Sequence, residues 1–306
     1  MERPTLKSPR ELEYMREAGQ IVASTHDALI EATRPGISTR ELDRISQETI
    51  RRHGGTSNFL NYHGFPATVC ISVNNEVVHG IPGERTLEAG DIVSYDCGAF
   101  VVREGQQWHG DGAVTVIVGD PYRRDGEPVP TTAVTIGDLP PSVVKRRREL
   151  SEITRHSLWA GIAAAARGTR LSHVSAAIED DVDASAEAVE RTQGWVPEII
   201  EGYTGHGIGN RMHEAPTVYN YRTRGRGTKI VPGMAVCIEP MVIAGDSASR
   251  VLDDDWTVVT IAGTDAAHWE HTVAFGREGI SVLTARDAGA AGLASYGITP
   301  IREFAN

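Results

Sequence analysis

Gly90-Asp91-Ile92-Val93-Ser94-Tyr95-Asp96 and Gly233-Met234-Ala235-Val236-Cys237-Ile238-Glu239 are two copies of one pattern. A glycine opens an apolar, strand-like run, and a carboxylate closes it at the same distance. Further matches flank the pair. His79-Gly80-Ile81-Pro82 answers His213-Glu214-Ala215-Pro216, and Trp108-His109-Gly110-Asp111 precedes a strand from Ala113 to Val118 as His268-Trp269-Glu270 precedes one from Thr272 to Phe275. A duplicated half with an internal pseudo-twofold axis brings matched positions together at that axis. Asp96, Asp111, Glu239 and Glu270 then meet. Buried carboxylates repel one another and are costly to desolvate, so the pattern calls for cations. Asp is disfavoured inside strands, and two acids at matched places in apolar runs break that rule together, which points to function.

The rest of the chain fits an α+β protein. Its 306 residues alone suggest about two domains, but neither half holds a complete site. The expectation is therefore one catalytic domain over residues 1–306, with halves at about 8–118 and 142–285 around a central antiparallel sheet. Each half reads as two helices followed by short strands. Helices are expected from Arg10 to Thr33 and from a Ser38/Glu41 capping box to about His53, then from Val143 to Ala166 and from Leu171 to about Glu190. The strands expected are Val69 to Val73, Val77 to His79, Ile92 to Val102, Ala113 to Val118, Ala235 to Ile243, Thr257 to Ile261, Thr272 to Phe275 and Ser281 to Leu283. Arg103-Glu104-Gly105 marks a hairpin turn. Residues 119–141 carry five prolines and read as a surface insertion. The Ala- and Gly-rich tail, 286–306, is expected to pack loosely.

Composition excludes several classes of function. The net charge of −11 disfavours nucleic acid as a partner. No run is long enough to cross a membrane, and the charged N-terminus lacks a signal core. Three cysteines, Cys70, Cys97 and Cys237, suit a reducing cytoplasm better than a disulfide framework. The basic run Lys145-Arg146-Arg147-Arg148 reads as a solvated helix face, with contact to ribosomal RNA as the minor alternative.

Motif by motif, the rivals to a metal centre fall away. Gly205-His206-Gly207-Ile208-Gly209 lacks the glycine a dinucleotide fingerprint needs at Asn210; its small residues suit a strand end where His206 approaches a metal or substrate. His213-Glu214 lacks the second histidine of a zinc-protease helix, and Pro216 would break that helix. No Gly-x-Ser-x-Gly elbow occurs. Cys97 points away from the face Asp96 uses, and Cys70 and Cys237 read as small buried hydrophobes. Four carboxylates and one imidazole suit two divalent ions such as manganese, iron, cobalt or zinc. Such ions bridge a water and lower its pKa for hydrolysis. His79 and His213 flank that centre and suit contact with a substrate carbonyl or amide.

At these residues the chain resembles type I methionine aminopeptidases, of the pita-bread fold, over roughly residues 8 to 285. The resemblance rests on Tyr62-His63-Gly64-Phe65-Pro66, Cys70 to Pro82, Gly205 to Gly209, His213-Glu214, Ile238-Glu239-Pro240-Met241 and Glu270-His271-Thr272. It implies that Asp96, Asp111, His206, Glu239 and Glu270 hold two metal ions, bridged by Asp111 and Glu270. His79 and His213 are then the substrate-contacting histidines, and Glu239 the proton acceptor for the bridging water. Tyr62, Phe65, Cys70 and Trp256 look like walls of a methionine pocket. Phe59 and Met212 replace, respectively, a small and an aromatic residue of many bacterial relatives. The implied reaction is release of the initiator methionine from nascent polypeptide N-termini at the ribosome, by a cytoplasmic monomer with no nucleic-acid or membrane partner. The short spacing from His213 to Glu239 leaves no room for the insert of the type II enzymes. The alternatives are a divergent N-terminal specificity, an Xaa-Pro peptidase and a non-catalytic partner-binding relative.

Overall fold

The structure, a computed structural model, describes residues 3–121 and 136–305. Two helices, α1 (Pro9–Ala32) and α2 (Thr39–Arg52), are followed by five strands: β1 (Thr56–Ser57), β2 (Cys70–Val73), β3 (Glu76–Val78), β4 (Ile92–Arg103) and β5 (Gln106–Ile117). Helices α3 (Pro141–Arg167) and α4 (Leu171–Gln193) begin the second half. Its strands are β6 (Pro197–Ile199), β7 (Gly205–Gly207), β8 (Glu214–Val218), β9 (Ala235–Ile238), β10 (Met241–Ala244), β11 (Ser249–Val251), β12 (Val258–Thr260), β13 (Ala266–His268), β14 (Glu270–Phe275) and β15 (Ile280–Val282). A last short helix, α5, covers Ala290–Ala294.

One antiparallel sheet draws on both halves in the order β1-β4-β5-β14-β9-β7-β8, with β2 added to β4 and β15 to β14. The β4-β5 pair therefore stands beside the β14-β9 pair as its mirror in sequence, with the pseudo-twofold axis between β5 and β14. Along β4, Val93, Tyr95, Cys97 and Ala99 enter the main apolar core. The period of two then sends Ser94, Asp96 and Gly98 to the other face. Leu12, Met15, Val22 and Leu29 of α1 fill the same core, each worth about 1.5–3 kcal/mol when fully buried. The helix lies very close to β5: a Cβ on Gly110 would sit 2.7 Å from the backbone nitrogen of Gly19. Its N-terminus carries a complete capping box, in which Ser8 accepts from the Glu11 N–H and the Glu11 carboxylate accepts from the Ser8 N–H. Ser38 likewise accepts from the Glu41 N–H at the start of α2.

Four expectations need correction. The second long strand begins at Gln106, well before Ala113, because Glu104 and Gly105 both adopt positive φ (53° and 76°) and close a two-residue hairpin. The expected strand from Ala235 to Ile243 is broken at Glu239-Pro240, so that β9 and β10 join different sheets. The basic run is not a solvated face. Arg147 and Arg148 are buried, Arg147 pairing with Asp265 at 2.9 Å and donating to the Gly90 carbonyl at 2.6 Å, and Arg148 pairing with Asp120. Arg147 ties α3 to the turn that opens β4 and to the loop before β13, and Arg148 ties it to the residues that follow β5. Much of the insertion, residues 122–135, lies outside the described residues, but at its end Ile136 is buried and packs with Leu139 in a second apolar cluster. The tail is packed: Leu293 is fully buried, and Gly292 is pressed so close to Trp159 that a Cβ there would lie 2.2 Å from its ring.

Candidate metal centre

Strand register sets the carboxylates in rungs across the face opposite α1. Asp96 on β4 faces Ala113 on β5, which faces Glu270 on β14. Since His271 pairs with Ile238, Glu239 comes next to Glu270 just past the end of β9. In the adjacent rung, Gly98 faces Asp111, and Thr272 faces Cys237. Ala113 and Gly98 are the small members of these rungs, which leaves room between the acids. The Thr272 hydroxyl accepts from the Asp111 N–H at 2.9 Å and donates to the Asp111 carbonyl at 2.7 Å. It thereby holds the inner strands together where the backbone ladder stops.

His206 reaches the same place from β7. The glycines around it are demanded by close approach: a Cβ on Gly205 would lie 2.3 Å from the Cys237 carbonyl oxygen, and one on Gly207 2.2 Å from that of Ala215. The Nε2 atom of His206 is 3.5 Å from Glu239. Ligand atoms of Asp96, Asp111 and Glu270 fall within 4.8 Å of one another, as do those of Glu239, His268 and Glu270, and those of His206, Cys237 and Glu270. Buried Asp96 Oδ1, Glu270 Oε1 and both ring nitrogens of His268 have no hydrogen-bond partner. An unpaired buried carboxylate costs several kcal/mol. Orphaned oxygens converging with nitrogen donors fit divalent cations and little else.

All the pocket residues expected from the sequence line one cavity of about 300 Å³: Phe59, Tyr62, Phe65, Cys70, His79, Met212, His213 and Trp256, together with Asp96, Asp111, His206, Glu239 and Glu270. Phe59, Phe65, Cys70 and Met212 form a separate apolar cluster against Tyr62 and Trp256. His79 adopts a left-handed backbone, φ 62°, a strain that persists only where the surroundings impose it and that gathers at working sites. Its ring meets Tyr203 and Trp256 edge-on. His213 Nδ1 lies 2.7 Å from the Tyr62 hydroxyl, and its ring packs on His206 with centroids 4.3 Å apart. Sequence reasoning missed Tyr203, Thr204 and Met241, which also line the cavity, and it left Cys237 and His268 without a place at the centre. The period of two was the available signal, since Cys237 and His268 each stand two residues from an acid on the same face.

The segment before α1 braces the pocket. Lys7 and Glu214 form an ion pair at 2.9 Å with both side chains almost fully buried. The other Glu214 oxygen accepts from the Arg211 N–H, closing the turn that presents Met212 and His213. Gly209 packs directly on the Lys7 side chain. Lys7→Met is expected to lower stability by roughly 3 kcal/mol, because it strands a buried carboxylate. Denaturant unfolding measures the loss.

Without a cation, burial pushes the Asp96 carboxyl up to about 7. Burial first, then neighbouring acids, pushes Asp111, Glu239 and Glu270 well above the usual carboxylate range. At these four positions the folded metal-free chain therefore holds more protons than the unfolded one. The stability these groups contribute is fully present below about pH 4 and is lost as pH rises through about 7. The buried histidines His26, His79, His109, His206 and His268, pushed by burial down to about 3 to 4, act in the opposite sense below about pH 6.5, so thermal unfolding of chelator-stripped protein is expected to show Tm falling from pH 7 to pH 8. The gain in Tm from added divalent metal should grow over the same range, because ligation displaces those protons. A metal-induced gain independent of pH would contradict this.

The sequence profile of metallopeptidase family M24 matches residues 13–276, and the chain belongs to that family. Within it, the chain is similar to methionine aminopeptidase 1 of Mycobacterium tuberculosis (strain CDC 1551 / Oshkosh), 43% identical over 279 residues, 91% of this chain and 94% of that protein. It is also similar to methionine aminopeptidase 1 of Bacillus subtilis (strain 168), 41% identical over 278 residues, 91% and 98% of the two chains. The crystal structure of methionine aminopeptidase from Thermotoga maritima superposes with a TM-score of 0.78 at 33% identity, covering 93% of this chain and all of that one. The prolidase from Pyrococcus furiosus shares the fold at TM-score 0.62 and 20% identity, over 92% of this chain and 65% of that one. The architecture is the pita-bread fold, and the family implies divalent metal binding.

Proposed function

We propose that this protein removes the N-terminal methionine from nascent polypeptides, using a centre of two divalent metal ions held by Asp96, Asp111, His206, Glu239 and Glu270 within a single catalytic domain. The observation that carries this reading is a cavity lined both by Asp96, Asp111, Glu239 and Glu270, of which Asp96 and Glu270 each keep a buried oxygen without a hydrogen-bond partner, and by the apolar walls Phe59, Phe65, Cys70 and Met212. A flexible thioether side chain suits such walls. When bound, divalent ions would supply Lewis acidity and lower the pKa of a water.

The protein's own groups do the rest. The substrate's free amine would sit at the metal centre, near Asp96. Glu239 takes the proton from the attacking water and passes it toward the leaving amine. His79 and His213 hold the scissile amide. Burial, then His213, lowers the His79 pKa to about 4, so its ring is neutral at pH 7 and offers one donor and one acceptor. The Tyr62 hydroxyl holds the His213 ring in place. Nascent chains at the ribosome are the natural substrates of this reading, for a monomer acting in the cytoplasm on a range of small second residues.

The test is an assay of chelator-stripped protein with manganese, iron, cobalt or zinc restored in turn, on Met-Ala-Ser, Leu-Ala-Ser and an Xaa-Pro peptide. Metal-dependent release of methionine from Met-Ala-Ser alone is expected. Equal cleavage of Leu-Ala-Ser would show that Phe59 and Met212 have changed the specificity, and preference for Xaa-Pro would overturn the reading.

A further inference from the structure

His268 ends β13, two residues before Glu270, and is 1% exposed. Its backbone is fixed. The N–H donates to Ser94 and Thr115, and the carbonyl accepts from Thr115 at 2.7 Å. Its side chain is not fixed by hydrogen bonds, for neither ring nitrogen has a partner. A buried donor or acceptor left unmade costs about 1–3 kcal/mol, and this ring carries two such atoms.

The ring nevertheless has a destination. Nε2 lies 3.7 Å from Glu239 Oε2, and a ring nitrogen of His268 falls within 4.8 Å of carboxylate oxygens of both Glu239 and Glu270. A hydrogen bond needs about 2.7–3.2 Å. Two donors that each sit about 2.0–2.2 Å from one ion are roughly 3–4 Å apart. His206 Nε2, on the other side of Glu239, keeps a similar spacing of 3.5 Å to Oε1. The two imidazoles thus flank one carboxylate at separations suited to a shared ion and too long for hydrogen bonds. A structural core histidine would have found a carbonyl or hydroxyl, as His271 has in Thr284 at 2.8 Å.

We propose that His268 is a further metal ligand, on the ion that also takes Glu239 and Glu270, so that the centre contains two imidazoles. The proposal rests on the metal-centre reading above. A second nitrogen donor shifts the centre away from oxygen-preferring manganese and toward iron, cobalt, nickel or zinc.

The experiment uses the intact, chelator-stripped protein and cobalt(II). In the fully loaded wild type, proton NMR counts far-shifted, solvent-exchangeable imidazole N–H resonances. Two are expected, and one alone would overturn the proposal without any variant. His268→Gln keeps a polar side chain of similar reach. It is expected to remove one of those resonances, to change the visible cobalt bands, to weaken cobalt binding on the order of 10–100-fold, and to narrow the preference for cobalt over manganese. Wild-type affinity and spectrum in a folded His268→Gln protein would overturn the assignment. Asp111→Ala, titrated in parallel, separates the two levels. If it lowers cobalt occupancy while His268→Gln does not, only the role of His268 falls. If the wild type binds no cobalt, the metal centre falls with it.

Discussion

Asp111→Ala is expected to reduce kcat/KM on a Met-Ala peptide by on the order of 10³ and to lower bound metal measured by elemental analysis. The size follows from the several kcal/mol of charge stabilisation that a catalytic metal supplies, at a factor of ten for each 1.4 kcal/mol. Asp111 is 3% exposed and shares a 4.8 Å neighbourhood with Asp96 and Glu270. Its rung neighbours Gly98 and Thr272 bring no substitute charge. The fold should survive, because the Thr272 hydroxyl bonds to backbone atoms of residue 111 and leaves the carboxylate out of the ladder. The variant should also melt at a higher temperature than the wild type once both are stripped of metal, since one of the mutually repelling acids is gone. Activity and metal-free stability moving in opposite directions is the signature of a ligand, as opposed to a structural aspartate. Normal turnover in this variant would refute the two-ion centre.

His79→Ala is expected to separate metal from turnover. The His79 imidazole lines the cavity but is absent from the groups of converging ligand atoms among the described residues. Bound metal should therefore match the wild type, while kcat falls by roughly 10²–10⁴, the usual worth of a positioned proton-transferring group. Stability should hardly suffer, because the alanine loses edge contacts with Tyr203 and Trp256 while the left-handed backbone at φ 62° burdens both residues alike. Loss of metal in His79→Ala would move this histidine into the ligand set and overturn its assignment to substrate.

The duplicated strands were legible because a period of two, a glycine start and an acid end survive in the sequence whatever surrounds them. Helices α1 to α4 were legible for a similar reason: long periodic runs with caps and breakers at their ends. The short strands β6, β7, β8, β11 and β13 were not. Three to five residues give no period, and their pairing is set by partners distant in the chain, such as Val242 beside both Ile199 and Ala267. Arg147 and Arg148 looked solvated for the same reason, since Asp265 and Asp120 meet them only after folding. At the candidate site, the acids stood out by violating strand preference. His268 violated nothing, and its two unpartnered nitrogens are visible only once its neighbours are in place.

The sheet order has a consequence for biosynthesis. Asp96 and Asp111 arrive together on the β4-β5 hairpin, whereas Glu239 and Glu270 are made far later, and the two pairs become neighbours only when β14 inserts beside β5. A growing chain that ends before β14 has half a centre, with buried-type acids lacking their counterparts and β5 left as an open edge prone to mispairing. Lys7 adds to this delay, because the residue that braces the pocket lies before α1 and its partner Glu214 belongs to the second half. The chain cannot acquire its chemistry piecemeal: premature termination anywhere before Phe275 should yield inert, aggregation-prone material with no residual peptidase of low activity.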